Sequence, residues 1–320
     1  MGHILLLDAG GTISSRPDRE GALAANTAEE RLSQLIARVP IPVEVRQIHT
    51  GLSEAMTLAD IAAVAVAVAD AQADPAVVGV VVAHGTDIME EAAFLVDLTI
   101  TSDKPVVFTG AQRAAGSGRT DGARNLRDAI NAAASPVLVG AGVIIAFAGR
   151  LTPARQAAKM HTSDLRAFRA RDGREGKIVG RTATPPPSTA RPAPLPPVTP
   201  SAAVETIALS AGSSGALIAA AADLGFKGLV ISALGRGNAG PAVLDAVKAA
   251  IASGVVVVIA SRCPGGRTAP DYATGRALHQ AGAIFAEDLG VSQARMLLAT
   301  LLAVHGADEA AAAFRAWVAV

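Results

Sequence analysis

Ile4-Leu5-Leu6-Leu7-Asp8-Ala9-Gly10-Gly11-Thr12 and Val77-Val78-Gly79-Val80-Val81-Val82-Ala83-His84-Gly85-Thr86-Asp87 share one pattern, an aliphatic run followed by a glycine turn with a threonine. Runs this short and this apolar read as strands buried on both faces of a parallel sheet, and ligands of such sheets lie just beyond the carboxyl ends of the strands. Thr12 and Thr86 are therefore expected in one crevice. A hydroxyl on a glycine turn that lets the backbone approach a ligand can serve as a nucleophile, with amide N–H groups beside it to hold an oxyanion.

Outward from these turns, strand-like and helix-like stretches alternate, the rhythm of a mostly parallel sheet flanked by helices. Strands are expected near 3–9, 42–48, 77–83, 105–110 and 142–148, and helices near 27–38, 57–73, 88–101 and 122–134. Asn26 with Glu29, and Asp87 with Glu90, have the spacing of a reciprocal helix cap. Residues 183–200 carry proline so densely that neither a helix nor a central strand can form, and they read as a linker. Beyond it, strands near 204–209, 228–234 and 255–260 alternate with helices near 214–223, 240–253 and 291–304. The expected organisation is a larger N-terminal domain over 1–182, the linker, and a smaller α/β domain over 201–320.

Composition excludes several classes of function. A formal net charge of zero, with lysine and arginine scattered, provides no electrostatic footprint for nucleic acid or an acidic membrane. The apolar stretch Ile61–Ala69 lies between Asp60 and Asp70 and is too short to span a bilayer. Cys263 is the single cysteine, the chain starts on a strand, and six scattered histidines lack metal-ligand spacing. These features point to a cytoplasmic protein with no metal and a small neutral or zwitterionic ligand.

Asp8-Ala9-Gly10-Gly11-Thr12 taken alone leaves three readings open: a nucleophilic threonine, a nucleotide phosphate loop, or a tight turn in which glycine supplies unusual dihedrals. It also resembles the first phosphate loop of sugar kinases of the actin and hexokinase type. The residues that follow, Ser14-Ser15-Arg16-Pro17-Asp18-Arg19-Glu20-Gly21, read as a polar lid rather than the hairpin of such a kinase. His84-Gly85-Thr86-Asp87-Ile88-Met89-Glu90-Glu91 has a plain structural reading as a helix start. That reading leaves unexplained its recurrence with the Gly10-Gly11-Thr12 turn and with Gly110-Ala111-Gln112-Arg113.

Together these stretches resemble the bacterial-type L-asparaginase family. The likeness runs through Gly10-Gly11-Thr12-Ile13, His84-Gly85-Thr86-Asp87 with Met89-Glu90-Glu91, Leu95-Val96-Asp97-Leu98-Thr99 and Asp103-Lys104-Pro105-Val106-Val107. It continues through Gly110-Ala111, Asp121-Gly122 with Asn125-Leu126, and Lys159 five residues before Asp164. The resemblance implies a nucleophilic Thr12, a second catalytic group in which Thr86 is coupled to Lys159, and Asp87 holding the substrate ammonium. Physical chemistry agrees, because an unassisted threonine hydroxyl is a poor nucleophile and needs a base such as a desolvated lysine. Ser53 and Glu54 match the family's substrate-binding segment, although a serine there also suits the start of the helix near 57–73. Gly11, Gly85 and Thr86 would supply backbone donors, and Ala111 would line the pocket by analogy.

The implied reaction converts L-asparagine to L-aspartate and ammonia through a threonyl ester and needs no cofactor, in a homodimer or homotetramer whose subunits complete each other's sites. Rival readings are glutamine hydrolysis or an amidotransferase-type amidase, a catalytically silent amino-acid-binding relative, and a sugar kinase built on Asp8–Thr12. Some features depart from the family. The only tyrosine is Tyr272, so the lid offers Gly21-Ala22-Leu23 where many members carry a tyrosine. Ala9 replaces a usual threonine, and around Gly237-Asn238 and Asp271–Gly275 no acidic partner for a neighbouring site is evident.

Overall fold

The computed structural model describes residues 2–11, 13, 15–17, 23–25, 32, 36, 39–113, 120–188 and 190–320. The chain divides into two compact units, Met1–Thr189 and Ala190–Val320. In chain order the first unit contains β1 (His3–Asp8), β2 (Ser15–Pro17), β3 (Leu23–Ala25), β4 (Val43–Gln47), α1 (Leu58–Ala73), β5 (Val77–Ala83), α2 (Met89–Thr99) and β6 (Val106–Thr109). It continues with α3 (Gly122–Ala133), β7 (Val143–Phe147), β8 (Arg150–Pro153), β9 (Ala157–Lys159), β10 (Phe168–Ala170), β11 (Gly176–Val179) and β12 (Thr182–Thr184).

One sheet of eight strands runs β12-β11-β8-β7-β6-β5-β1-β4. The five strands from β7 to β4 are parallel, and β8, β11 and β12 extend the sheet antiparallel. Residues 4–8 of β1 and all of β6 are buried, as aliphatic runs covered on both faces require. Helix α3 turns Gly122, Asn125, Leu126, Ala129, Ile130 and Ala133 inward, an i, i+3, i+4 stripe that packs with Val81, Val107 and Ile144 in the core. Phe94 and Phe108 are fully enclosed, each contributing about 1.5–3 kcal/mol of hydrophobic stabilisation.

Register sets the place of the site. Asp8 pairs with Ala83 across β1 and β5, and Ala83 with Thr109 across β5 and β6, so three parallel strands end level with one another. The turns that start at Ala9, His84 and Gly110 therefore leave the same edge of the sheet.

The antiparallel extension departs from the pattern read in the sequence. β7 and β8 are joined by Ala148 (φ +49°) and Gly149 (φ +80°), both left-handed as a two-residue hairpin of this twist demands. β12 takes Ala183 and Thr184 from the segment that composition assigns to a linker. Prolines begin only at Pro185, so Thr182–Thr184 can pair with β11.

The segment read as a lid rather than a hairpin does hold a short antiparallel hairpin, in which Ser15–Pro17 pairs with Leu23–Ala25. Of the helix expected over 27–38, Leu32 and Ile36 are described and helical, and Leu32 is buried. The Asn26–Glu29 cap and the segment 18–22 lie outside the described residues.

The second unit is a four-stranded parallel sheet, β13 (Val204–Ala208), β14 (Gly228–Ala233), β15 (Val256–Ser261) and β16 (Ile284–Phe285), in that order. Its helices are α4 (Ala216–Asp223), α5 (Pro241–Ala252), α6 (Ala273–Gln280), α7 (Val291–His305) and α8 (Ala307–Val318). Asn238 accepts a hydrogen bond from Thr274, and Asp271 pairs with Arg236. Among the described residues no helix is long and apolar enough to cross a membrane.

Candidate active site

Three turns meet where the strands end, and glycine permits the contact. A Cβ on Gly11 would lie 2.3 Å from the Cα of Gly85, and one on Gly10 would lie 2.5 Å from the carbonyl oxygen of Gly51. One on Gly85 would strike the Ser53 Oγ at 2.5 Å, and one on Gly110 the His84 carbonyl oxygen at 2.5 Å. Gly10 and Gly11 also hold φ of +80° and +84°, which L residues with a side chain rarely adopt. The Gly10 N–H donates to Asp8 Oδ1 at 3.0 Å, so the carboxylate of the strand's last residue folds back and fixes the turn.

On the second turn, Lys159 Nζ, from the end of β9, donates to Thr86 Oγ1 at 2.9 Å and to Asp87 Oδ1 at 2.5 Å. The lysine side chain is 15% exposed and that of Asp87 55%, so the ammonium is withdrawn from water while its counter-charge stays solvated. Thr86 is buried. Ser53, buried on a short 3₁₀ turn (Ser53–Ala55), accepts a 3.3 Å hydrogen bond from the Asp87 N–H. It caps no helix. That function falls to Thr57, whose hydroxyl accepts from the Asp60 N–H while Asp60 accepts from the Thr57 N–H.

The reciprocal cap expected of Asp87 and Glu90 does not form. Ile88 stands at the N-cap of α2 with no side-chain bond, because Asp87 binds the ammonium of Lys159 and Glu90 faces the Lys159 backbone. A charged tertiary partner outcompetes a local backbone donor here.

His84 is fully buried. Its Nδ1 lies 2.7 Å from the Gly85 carbonyl oxygen, an acceptor, so Nδ1 carries the proton and Nε2 is an unprotonated nitrogen with no described partner. Burial pulls its pKa down to about 4, so it is neutral near pH 7. Among the described residues, the N–H groups of Gly85 and Thr86 have no acceptor, whereas the Gly11 N–H donates to the Gly51 carbonyl at 2.9 Å. Gly11, expected as an oxyanion donor, thus uses its amide to hold the turn.

The third turn is braced from α3. Asp121 accepts from the N–H groups of Gln112 and Arg113, and Asn125 donates to the Gly110 carbonyl and accepts from the Ala148 N–H. The i, i+4 pairing of Asp121 and Asn125 was visible in the sequence without any chemistry to attach to it. Ala111 is fully buried, with its methyl in the core. Glu54 is exposed, and Thr12 lies outside the described residues. No group of three or more histidine, cysteine, aspartate and glutamate side chains among the described residues is placed to hold a metal ion.

Fold and site define an α/β protein of two units, the larger carrying a hydroxyl–lysine–carboxylate cluster at the carboxyl edge of its parallel sheet. A profile of the asparaginase N-terminal domain matches residues 3–184, and one of the glutaminase/asparaginase C-terminal domain matches residues 203–314. The chain is 36% identical to a probable L-asparaginase of Deinococcus radiodurans over 96% of its own length and 95% of that protein. It is 32% identical to an L-asparaginase of Bacillus licheniformis, over 94% and 96%. A crystal structure of a probable cytoplasmic L-asparaginase from Campylobacter jejuni superposes with a TM-score of 0.87 at 28% identity, covering 100% of this chain and 99% of that one. The chain belongs to the asparaginase family.

Proposed function

We propose that this protein is an amidohydrolase that converts L-asparagine to L-aspartate and ammonia. The observation that carries the reading is the 2.9 Å contact of Lys159 Nζ with Thr86 Oγ1 at the carboxyl edge of the sheet, in a chain of this family. The Thr12 hydroxyl attacks the side-chain amide carbon, and its proton passes by way of Thr86 and Lys159 to the departing nitrogen. The N–H groups of Gly85 and Thr86 hold the oxyanion. The C–N bond breaks, ammonia leaves, and a threonyl ester remains. Water, giving its proton to the same pair, hydrolyses the ester to aspartate and restores the hydroxyl. Asp87 and Glu54 receive the substrate ammonium, and Ser53 its α-carboxylate.

The domain division at the proline-rich segment, a cytoplasmic location, and assembly as a homodimer or a homotetramer of close dimers accompany this reading. The domain profiles and the neighbour's cytoplasmic type support the first two. A second reading is glutamine hydrolysis, favoured by the glutaminase/asparaginase profile over residues 203–314. One methylene is worth only about 1–3 kcal/mol of discrimination. Ammonia release from asparagine and from glutamine decides between them, and Thr12→Ala tests the nucleophile. Full activity in Thr12→Ala sinks its assignment, and no release from either amide by the intact protein sinks the function.

A further inference from the structure

One carboxyl beside the lysine has no part in the steps above. Glu90 sits in the first turn of α2, largely enclosed, and its Oε1 accepts a 3.5 Å hydrogen bond from the backbone N–H of Lys159. Its own backbone N–H bonds the same carboxyl. Oε2 is buried and accepts no hydrogen bond from a described residue. An enclosed carboxylate with one oxygen unmatched is costly in its charged form, and burial pushes Glu90 up to about 7.

The charges that act on Glu90 are few. Lys159, from β9, favours the ionised form, and Glu91, beside it on α2, opposes it. β7 brings only the apolar side chains of Val143–Phe147. On α1, Asp60 is tied to Thr57 and Asp70 is exposed. Asp87, on the preceding turn, is occupied by the lysine ammonium.

We propose that Glu90 is the positioning residue of the Thr86–Lys159 pair, holding the end of β9 through the Lys159 N–H with a strength that follows its own ionisation. The inference rests on the amidohydrolase reading. An ionised oxygen accepts a hydrogen bond about twice as strongly as a neutral one, so the ionised carboxyl fixes Lys159 against Thr86 and protonation loosens it. Glu90 acts through Lys159, so its effect belongs in kcat and not in KM.

The test is the pH dependence of asparagine hydrolysis by wild type, Glu90→Gln and Glu90→Asp, with melting curves in the same buffers. Glu90→Gln is a neutral isostere of the protonated form. Its kcat should be about fivefold below wild type at pH 8, should converge with it below pH 6, and should lack the wild-type inflection near pH 7, with KM unchanged. Glu90→Asp, one methylene short of β9, should lose kcat at every pH yet still inflect.

Melting reads the same titration without catalysis. The folded carboxyl keeps its proton to about pH 7 while the unfolded one releases it near its ordinary 4.5, so its contribution to stability is full below 4.5 and is lost as pH rises through the window. Glu90→Gln should therefore gain in Tm on wild type from pH 5 to pH 8. Coincident pH profiles or a Tm difference that does not change with pH overturn the proposal. If Thr86→Val and Lys159→Met are inert while Glu90→Gln follows wild type throughout, only the Glu90 role fails. If the intact protein releases ammonia from neither asparagine nor glutamine, the functional reading fails and the positioning role fails with it.

Discussion

The turn after β1 and the turn after β5 leave neighbouring strands at one level, Asp8 beside Ala83, and each contains Gly-Thr, but they use glycine differently. In the first, Gly10 and Gly11 hold left-handed backbone and Asp8 bonds the Gly10 N–H. In the second, Gly85 has no such dihedral; it is glycine because Ser53 presses against it. The first turn is thus specified by its own chain geometry, the second by its neighbours. A recurring dipeptide need not mean a recurring conformation.

Gly11→Ala should separate the two cases most sharply. It combines a left-handed dihedral with a Cβ driven into the Gly85 backbone, which cannot yield, and should cost roughly 2–5 kcal/mol in denaturant unfolding and abolish activity. Thr86→Val keeps the volume and removes the hydroxyl that Lys159 contacts. Its kcat should fall by about 10²–10⁴-fold with the Tm nearly unchanged, and undiminished turnover would remove Thr86 from the mechanism.

Gly85→Ala meets a side chain instead of backbone, so about 1–3 kcal/mol is expected, and Ser53→Gly in the same chain should restore part of it. Additive losses in that double variant would mean that Ser53 is not what confines Gly85. The smallest effect is a slope. His84 is neutral in the fold to about pH 4 while the unfolded imidazole charges at its ordinary 6.5, so its stabilising contribution is full above 6.5 and declines as pH falls. About 1 kcal/mol should be lost between pH 6.5 and 5.5, and His84→Gln should lack that loss in melts compared pH by pH with wild type, so that the Glu90 titration cancels.

The parts of the fold that were legible in the sequence are those where one physical demand acts alone. β1, β5 and β6 are buried on both faces, and their aliphatic runs declare it. β8 to β12 are strands of three or four residues, entered from β7 through Ala148-Gly149, which lacks the asparagine or aspartate that usually marks a left-handed hairpin turn. Asn125 supports that turn at the Ala148 N–H, a contact 23 residues away that no local pattern displays.

The site divides in the same way. Thr86 and Asp87 could be located from their turn, but Lys159 lies 72 residues beyond Asp87 and came from family resemblance, not from any local signal. Glu90 was read as half of a cap because the spacing fitted, and only the β9 backbone beside it showed another use. In the second unit, α8 carried its own signs, Gly306 before it and Asp308 and Glu309 in its first turn, yet lay beyond the last helix placed from periodicity.

The packing of Gly10 on Gly51, Gly11 on Gly85 and Gly85 on Ser53 also bears on engineering. Three segments far apart in the chain form a stack with no room for a methyl group on Gly10, Gly11 or Gly85, so none of the segments can be redesigned alone. A chimaera between two members of this family that exchanges one of these loops should fail unless it carries the other two, and the smallest transferable unit of the site is the stacked set.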